Sequence, residues 1–220
     1  MKILVTAGGT REPLDEVRYL GNVSSGRTGA WIVEEAVRRY HTVFLLAGKG
    51  AEQPAQWAMD TGLVVAQEFG SAVDLLQRCT HLCQQHEFQA VVFAAAVADY
   101  APQPVQGKVP SQLDEWLVRL VPTPKVVDVI PRLAPDAVLV GFKLESGVSR
   151  EELVSRARHT GRRCQARFMV ANDTSGLGSA SHEAVLVDVH GRETVVPHRR
   201  ALAEVLITTL EEACQQTRQR

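Results

Sequence analysis

The chain has no excess of charge of either sign: 24 Lys and Arg stand against 25 Asp and Glu, a formal net charge of −1. That balance gives no reason to expect a nucleic acid or an acidic membrane surface as partner. There is no basic run either; the densest positive cluster is Arg156, Arg158, Arg162 and Arg163. Cysteine is sparse, with Cys79, Cys83, Cys164 and Cys214 at no framework spacing. Cys79 and Cys83 share a face of an expected helix, but a zinc site needs two more soft ligands. Only His81 and His86 are near, and His81 points elsewhere, so ordinary helix cysteines are the better reading. No signal-peptide pattern precedes the first apolar run, and no run approaches membrane-spanning length. A reduced, cytoplasmic setting is expected. Internal repeats and low-complexity tracts are also lacking.

What is present is alternation. The 220 residues suit one domain, read over 1–220. Strands are expected at 4–7, 42–47, 63–69, 90–96, 138–142 and 168–171, and helices at 26–39, 72–85 and 149–163. Ser149 followed by Glu152 is a capping-box pattern at the start of the last of these. The order predicts an α/β, Rossmann-like, mostly parallel sheet with helices on both faces. Residues 184–196 read as a late β-hairpin around Gly191, adding an antiparallel edge, and an amphipathic helix follows from about 199 to 214. Residues 100–114, with three prolines and few apolar side chains, read as a mobile active-site loop.

The first strand leads into TAGGTREPLDEVRYLGNVSSGRTG, residues 6–29, and then a helix. Strand, glycine-rich loop and helix form the opening of a nucleotide-binding α/β unit. Gly8 and Gly9 permit close backbone approach to a ligand and free N–H groups. Ser24, Ser25 and Gly26 lie at a helix start, which favours a phosphate; a plain N-cap serine is the simpler alternative. Arg18 suits a second anion, gripped bidentately, or is a solvated loop arginine. Ligands of open parallel sheets bind beyond the carboxyl ends of strands. There the chain places Ala95, Ala96 and Asp99, then Lys143 and Glu145, then Asn172 and Asp173, the last of these better read as a helix cap. Asp99 follows small residues that leave room for a bulky ligand, and its carboxylate is a candidate metal contact. Lys108 is the one lysine of the expected mobile loop. A short-chain dehydrogenase is disfavoured: four residues beyond Tyr19, Tyr40 and Tyr100 stand Val23, Phe44 and Pro104 rather than lysine, and G-x-G-x-x-G spacing is absent.

In order along the chain, the block at 6–29, AAAVADY at 94–100, the lysine of GKVPS at 107–111, TPK at 123–125, GFKLE at 141–145 and VAND at 170–173 resemble the phosphopantothenoylcysteine synthetase (phosphopantothenate–cysteine ligase) family. The resemblance implies a ligase of coenzyme A biosynthesis, usually a homodimer. Such an enzyme joins 4′-phosphopantothenate to L-cysteine through an acyl-nucleotidylate, with CTP or ATP as co-substrate, Mg²⁺ and no flavin. It implies that Asn22 meets the acyl-nucleotidylate, that Arg18, Asn22 and Ala96 contact the phosphopantothenoyl part, and that Lys108 stabilises the intermediate and its collapse. It places Ala95, Asp99, Phe142 and Asn172 with the nucleotide, together with the helix start Pro124-Lys125-Val126-Val127. Asp99 is further taken as a substrate contact.

The chain also departs from the family pattern. Bacterial members carry K-x-K-K in the flexible loop, where this chain reads Lys108-Val109-Pro110-Ser111. Lys125 stands where many have aspartate, and Thr160 and Cys164 stand where triphosphate lysines are found. Arg158, Arg162 or Arg163 is then the substitute, with different reach. The chain starts at the synthetase strand, so a single-activity form without the decarboxylase is expected. The thinned lysine set motivates one alternative, a non-catalytic relative that binds nucleotide or phosphopantothenate.

Overall fold

Strand β1 (Lys2–Ala7) shows why the chain folds as it does: Ile3, Val5 and Ala7 turn to one face and Leu4 to the other, all buried. A strand apolar on both faces belongs in the middle of a covered sheet. The computed structural model describes residues 1–174 and 183–218. After β1 come β2 (Arg11–Pro13), β3 (Tyr19–Gly21), α1 (Arg27–Arg38), β4 (Thr42–Gly48), α2 (Gln56–Met59), β5 (Val64–Phe69), α3 (Ala72–Gln85) and β6 (Ala90–Phe93). Then follow β7 (Tyr100–Pro102), β8 (Leu120–Pro122), α4 (Val126–Leu133), β9 (Val138–Glu145), α5 (Arg150–Arg163), β10 (Phe168–Asp173), β11 (Ala184–Asp188), β12 (Glu193–Val196) and α6 (Arg199–Arg218).

The main sheet has the order β12-β11-β10-β9-β6-β1-β4-β5. It is parallel from β10 to β5, and β11 and β12 add the antiparallel edge expected of the hairpin. One apolar layer packs α1 and α6 on one face, with Ile32, Val33, Leu206 and Ile207 at its centre. The other packs α3, α4 and α5 through Leu75, Ile130 and Leu153. Each such side chain contributes about 1.5–3 kcal/mol by leaving water. No helix among the described residues is long and apolar enough to cross a membrane.

The chain runs outward from β1 through β4 to β5, then returns to place β6 on the other side of β1. This reversal opens a crevice at the carboxyl ends of β1 and β6. Two differences from the sequence reading lie there. The apolar run at 90–96 is a strand only to Phe93. Beyond it, residues 94–98 are zipped to the end of β1 by other means: Ala94 N–H donates to the Thr6 carbonyl, Ala95 N–H to Thr6 Oγ1, and Ala96 N–H to the Gly8 carbonyl. Thr10 N–H donates back to the Ala96 carbonyl, and Ala98 N–H to Thr10 Oγ1. The second difference is at 100–114, which is part of a longer arm. Its base is the antiparallel ribbon β7–β8. A second small ribbon, β2–β3, stands beside it.

Candidate active site

The zipper at the end of β1 carries Ala95, Ala96 and Asp99 into a cavity of about 330 Å³. The opposite wall comes from Thr123 to Val127, from Phe142 and Lys143 at the end of β9, and from Thr160, Arg163 and Cys164 on α5. The structure therefore gathers Ala95, Ala96, Asp99, Pro124, Lys125, Val126, Val127 and Phe142 around one space. Thr123 fixes the wall: its N–H donates to the Asp99 carbonyl at 3.0 Å, and its hydroxyl donates to the Ala98 carbonyl. Lys125 is the N-cap residue of α4, so that helix presents its free N–H groups at the cavity wall.

Three cations line this cavity, and each has a carboxylate. Lys125 Nζ donates to Asp99 Oδ1 at 2.5 Å, Lys143 Nζ to Glu145 Oε1 at 2.9 Å, and Arg163 pairs with Asp128. The Lys143 ammonium, then the Arg156 guanidinium, hold the Glu145 carboxyl below the usual range against the opposing effect of burial. Thr160 and Cys164 do face the cavity, at the positions where the resemblance leads one to look for lysine. Burial pushes the Cys164 thiol up. Of the three candidate arginines only Arg163 lines the cavity; Arg158 and Arg162 line a separate groove between α5 and Glu193.

Asn22, Arg18 and Lys108 stand outside the cavity wall, each for its own reason. Asn22 lies over Gly9: a Cβ on Gly9 would sit 2.7 Å from the Asn22 carbonyl oxygen. Gly9 is itself bridged to Ala96. One backbone strand thus separates the exposed Asn22 from the cavity floor. The space beside Gly8 is likewise filled by protein, since a Cβ there and one on Gly26 would each strike Ala51. On the side where a Cβ would stand, Gly8 is crowded by Ala51 and Gly48, and Gly9 by the Asn22 carbonyl. At the start of α1, Ser25 Oγ accepts the Arg27 N–H at 3.3 Å, Gly26 is the N-cap residue, and no acidic residue occupies the first turn. Ser24 is half-buried beside it, its N–H on the Asn22 carbonyl. Asn172, at the end of β10, does not line the cavity.

Arg18, whose side chain is 37% exposed, is not free to embrace an anion with its whole fork. Its Nε donates to Asp15 Oδ2 at 3.0 Å, its Nη2 donates to the Val109 carbonyl at 2.5 Å, and the guanidinium stacks on Trp116 at 4.8 Å. Nη1 is the part that remains for a ligand. Lys108, beside Val109, is exposed.

Two buried carboxylates of the loop after β1 went unmarked in the sequence. Glu12 accepts the Ala72 N–H at the start of α3 at 2.9 Å. Asp15 accepts the N–H groups of Val17 and Arg18 at 3.0 and 2.8 Å, an Asx turn, and also the distant Val109 N–H. The local signal was the turn-forming Pro13-Leu14-Asp15 followed by Arg18. The metal reading of Asp99 lacks a donor set. That carboxylate is held by Lys125, and no group of three His, Cys, Asp or Glu among the described residues can hold a metal ion.

Comparison with known proteins follows the geometry. The family model described as the DNA/pantothenate metabolism flavoprotein C-terminal domain matches residues 1–213. The coenzyme A biosynthesis bifunctional protein CoaBC of Thermococcus kodakarensis is 35% identical over 217 residues, covering 96% of this chain and 51% of that protein. The chain thus spans about half the length of the curated relatives it matches. The DNA/pantothenate metabolism flavoprotein from Streptococcus pneumoniae superimposes with a TM-score of 0.87 at 28% identity, covering 97% of this chain and 99% of the other. The C-terminal domain of a CoaBC protein superimposes with a TM-score of 0.78 at 26% identity, covering 98% of this chain and 96% of the other.

Proposed function

The chain belongs to the family of the DNA/pantothenate metabolism flavoprotein C-terminal domain, and from that premise we propose that it is a phosphopantothenate–cysteine ligase of coenzyme A biosynthesis. The observation that carries the reading is the join between two loops. The Gly9–Ala96 bridge sets Asn22, on the substrate side, one strand away from a cavity walled by Ala95, Asp99, Lys125 and Phe142, on the nucleotide side. A reaction that links a carboxylate to a nucleotide needs these two sites in contact.

In this reading a carboxylate oxygen of 4′-phosphopantothenate attacks the α-phosphorus of CTP or ATP. The bond from that phosphorus to the bridging oxygen breaks, and pyrophosphate leaves. The cysteine amine then attacks the acyl carbon. The acyl–oxygen bond breaks, the nucleoside monophosphate leaves and the amine gives up a proton. Asn22 would donate its amide to the oxyanion of that second step. Lys108 would bring positive charge to the same group. The Arg18 Nη1 edge would meet the phosphopantothenoyl part, while Phe142 would border the base. Arg163 takes the place of the missing triphosphate lysines, since it alone of the α5 arginines faces the cavity. Magnesium arrives on the triphosphate as part of the substrate, held by phosphate oxygens; among the described residues no group of three His, Cys, Asp or Glu could hold it. No flavin enters this half-reaction.

The active form is read as a cytoplasmic homodimer. The hairpin at 184–196 exposes Val195 alone, whereas most of the exposed large apolar side chains lie on the two ribbons and the arm, Val23 and Leu117 among them. That face is therefore the one assigned to the second copy. The test of the function is pyrophosphate release from 4′-phosphopantothenate with CTP and ATP compared, with and without cysteine. The expected result is release with one nucleotide preferred, and an accumulated acyl-nucleotidylate when cysteine is omitted. Nucleotide binding with no pyrophosphate under any combination would instead make the chain a non-catalytic binder.

A further inference from the structure

We propose that Asp15 is a positioning residue that seats the arm bearing Lys108 against the substrate loop. Resting on the ligase reading for what Lys108 does, the inference concerns what holds that lysine in place. The Asp15 side chain is fully inaccessible to solvent. Oδ1 takes the N–H groups of Val17 and Arg18, which is all an Asx turn requires. Oδ2 does something further. It accepts Arg18 Nε at 3.0 Å and the Val109 N–H at 3.1 Å, 94 residues away in the chain. Arg18 Nη2 completes the grip by donating to the Val109 carbonyl. Both main-chain groups of Val109 are therefore held by one ion pair, and its side chain is buried.

The other neighbour of Lys108 is held too. Gly107 N–H donates to Glu16 Oε1 at 3.2 Å, and the Gly107 carbonyl accepts the Glu16 N–H at 3.4 Å. The backbone is thus fixed on each side of Lys108, while the lysine side chain projects free. Further back, the Val105 N–H donates to the Leu14 carbonyl at 3.1 Å. A structural lysine would be tied at its head; this one is tied at its base.

Asp15 also makes the seat a two-state element. A buried carboxylate is tolerated only when its oxygens are satisfied. Raising the arm removes the Val109 N–H and exposes Oδ2 to water, so the turn and the arm gain from each other's presence. Burial opposes ionisation of Asp15, but the N–H groups of Val17, Val109 and Arg18 and the Arg18 charge outweigh it and hold the carboxyl below its usual range. The arm is thus among the groups that keep it charged.

The test uses the full chain and two variants. Asp15→Ser keeps one oxygen for the turn and removes the second. Asp15→Asn keeps the shape but turns one oxygen into a donor. Hydrogen exchange is followed on peptides covering 103–111, 11–21 and the core strands. Exchange at 107–109 is expected to quicken about tenfold or more in Asp15→Ser while the core strands keep their protection. Turnover is expected to fall about tenfold, with nucleotide KM within about twofold, and to fall less than about twofold when Lys108→Ala is already present. Unchanged exchange at 107–109 in both variants overturns the proposal. So does exchange lost equally across the core, or an equal fall in turnover with and without Lys108. A wild-type chain that releases no pyrophosphate overturns the ligase reading, while the exchange data still decide the seating.

Discussion

Replacing Gly9 with alanine tests the join between the two loops without touching any group that does chemistry. The added Cβ would lie 2.7 Å from the Asn22 carbonyl oxygen, where ordinary contact begins near 3.4 Å, so one side must give way by about 0.7 Å. Gly9 is the fixed side: it is bridged to Ala96, and Gly48 packs so closely that a Cβ there would lie 2.5 Å from the Gly9 carbonyl oxygen. Asn22 and Val23 are exposed and free to retreat. A catalytic group displaced by about 1 Å costs on the order of 100-fold in rate, so a shift of this size should lower kcat about 30-fold, or about 2 kcal/mol. Stability should change little, because alanine restricts the unfolded chain and offsets part of the crowding; a Tm within about 3 °C of wild type is expected. The assay is steady-state pyrophosphate release beside a thermal melt. Gly70→Ala serves as control, since its Cβ would meet nothing nearer than Asp74 Oδ2 at 3.8 Å. Turnover of Gly9→Ala within twofold of wild type would refute the reasoning, for the position of Asn22 would then be immaterial.

Other expectations are briefer. Asn22→Asp should cost about 100-fold in kcat, near 3 kcal/mol, with an unchanged melt; a kinetically normal variant removes Asn22 from the mechanism. Arg163→Ala should raise the nucleotide KM about tenfold, while Arg158→Ala and Arg162→Ala leave it within about twofold; equal effects would mean that the cavity is not the triphosphate site. Because the Asp15 carboxyl is held below its usual range, its hold on the arm is complete above the unfolded value of about 3.9 and is lost as pH falls through the lower folded value. Exchange protection at 107–109, corrected for intrinsic rate, should therefore be the same at pH 7 and pH 5; opening that begins near pH 6 contradicts this. Leu117→Asp should shift sedimentation toward the monomer, and an unaltered dimer would assign the contact to another face.

The sheet was legible because its strands are apolar runs set between amphipathic helices, and the hairpin at 184–196 announced itself by two apolar stretches around Gly191. The ribbons β2–β3 and β7–β8 were not. Each has strands of three residues, Arg11–Pro13 and Tyr100–Pro102 among them, with no alternation to read and a proline at the end. They exist because turns meet across the fold. The end of the strand at 90–96 was misjudged for a related reason. Apolarity continues to Ala98, but after Phe93 the hydroxyls of Thr6 and Thr10 take over part of the pairing. At the site, Ala95, Ala96, Asp99 and Lys143 were legible from their places after strands, whereas Pro124 to Val127 and Phe142 came from the family resemblance. The work of Arg18 was not, because its partners Val109 and Trp116 are about 90 residues or more away in the chain. Nor does a short pattern reveal that Asp15 and Glu12 are buried.

On the ligase reading, the three ion pairs around the cavity bear on how product departs. A phosphate entering this space cannot simply fall onto bare positive charge; it must exchange places with Asp99, Glu145 or Asp128, and each displaced carboxylate returns to water. A triphosphate offers enough negative groups to win several such exchanges at once. A nucleoside monophosphate offers one, against carboxylates still tethered beside their cations. On that reading the tethered carboxylates would weigh more heavily against the monophosphate product than against the triphosphate substrate, and so would help to clear the cavity after each turnover.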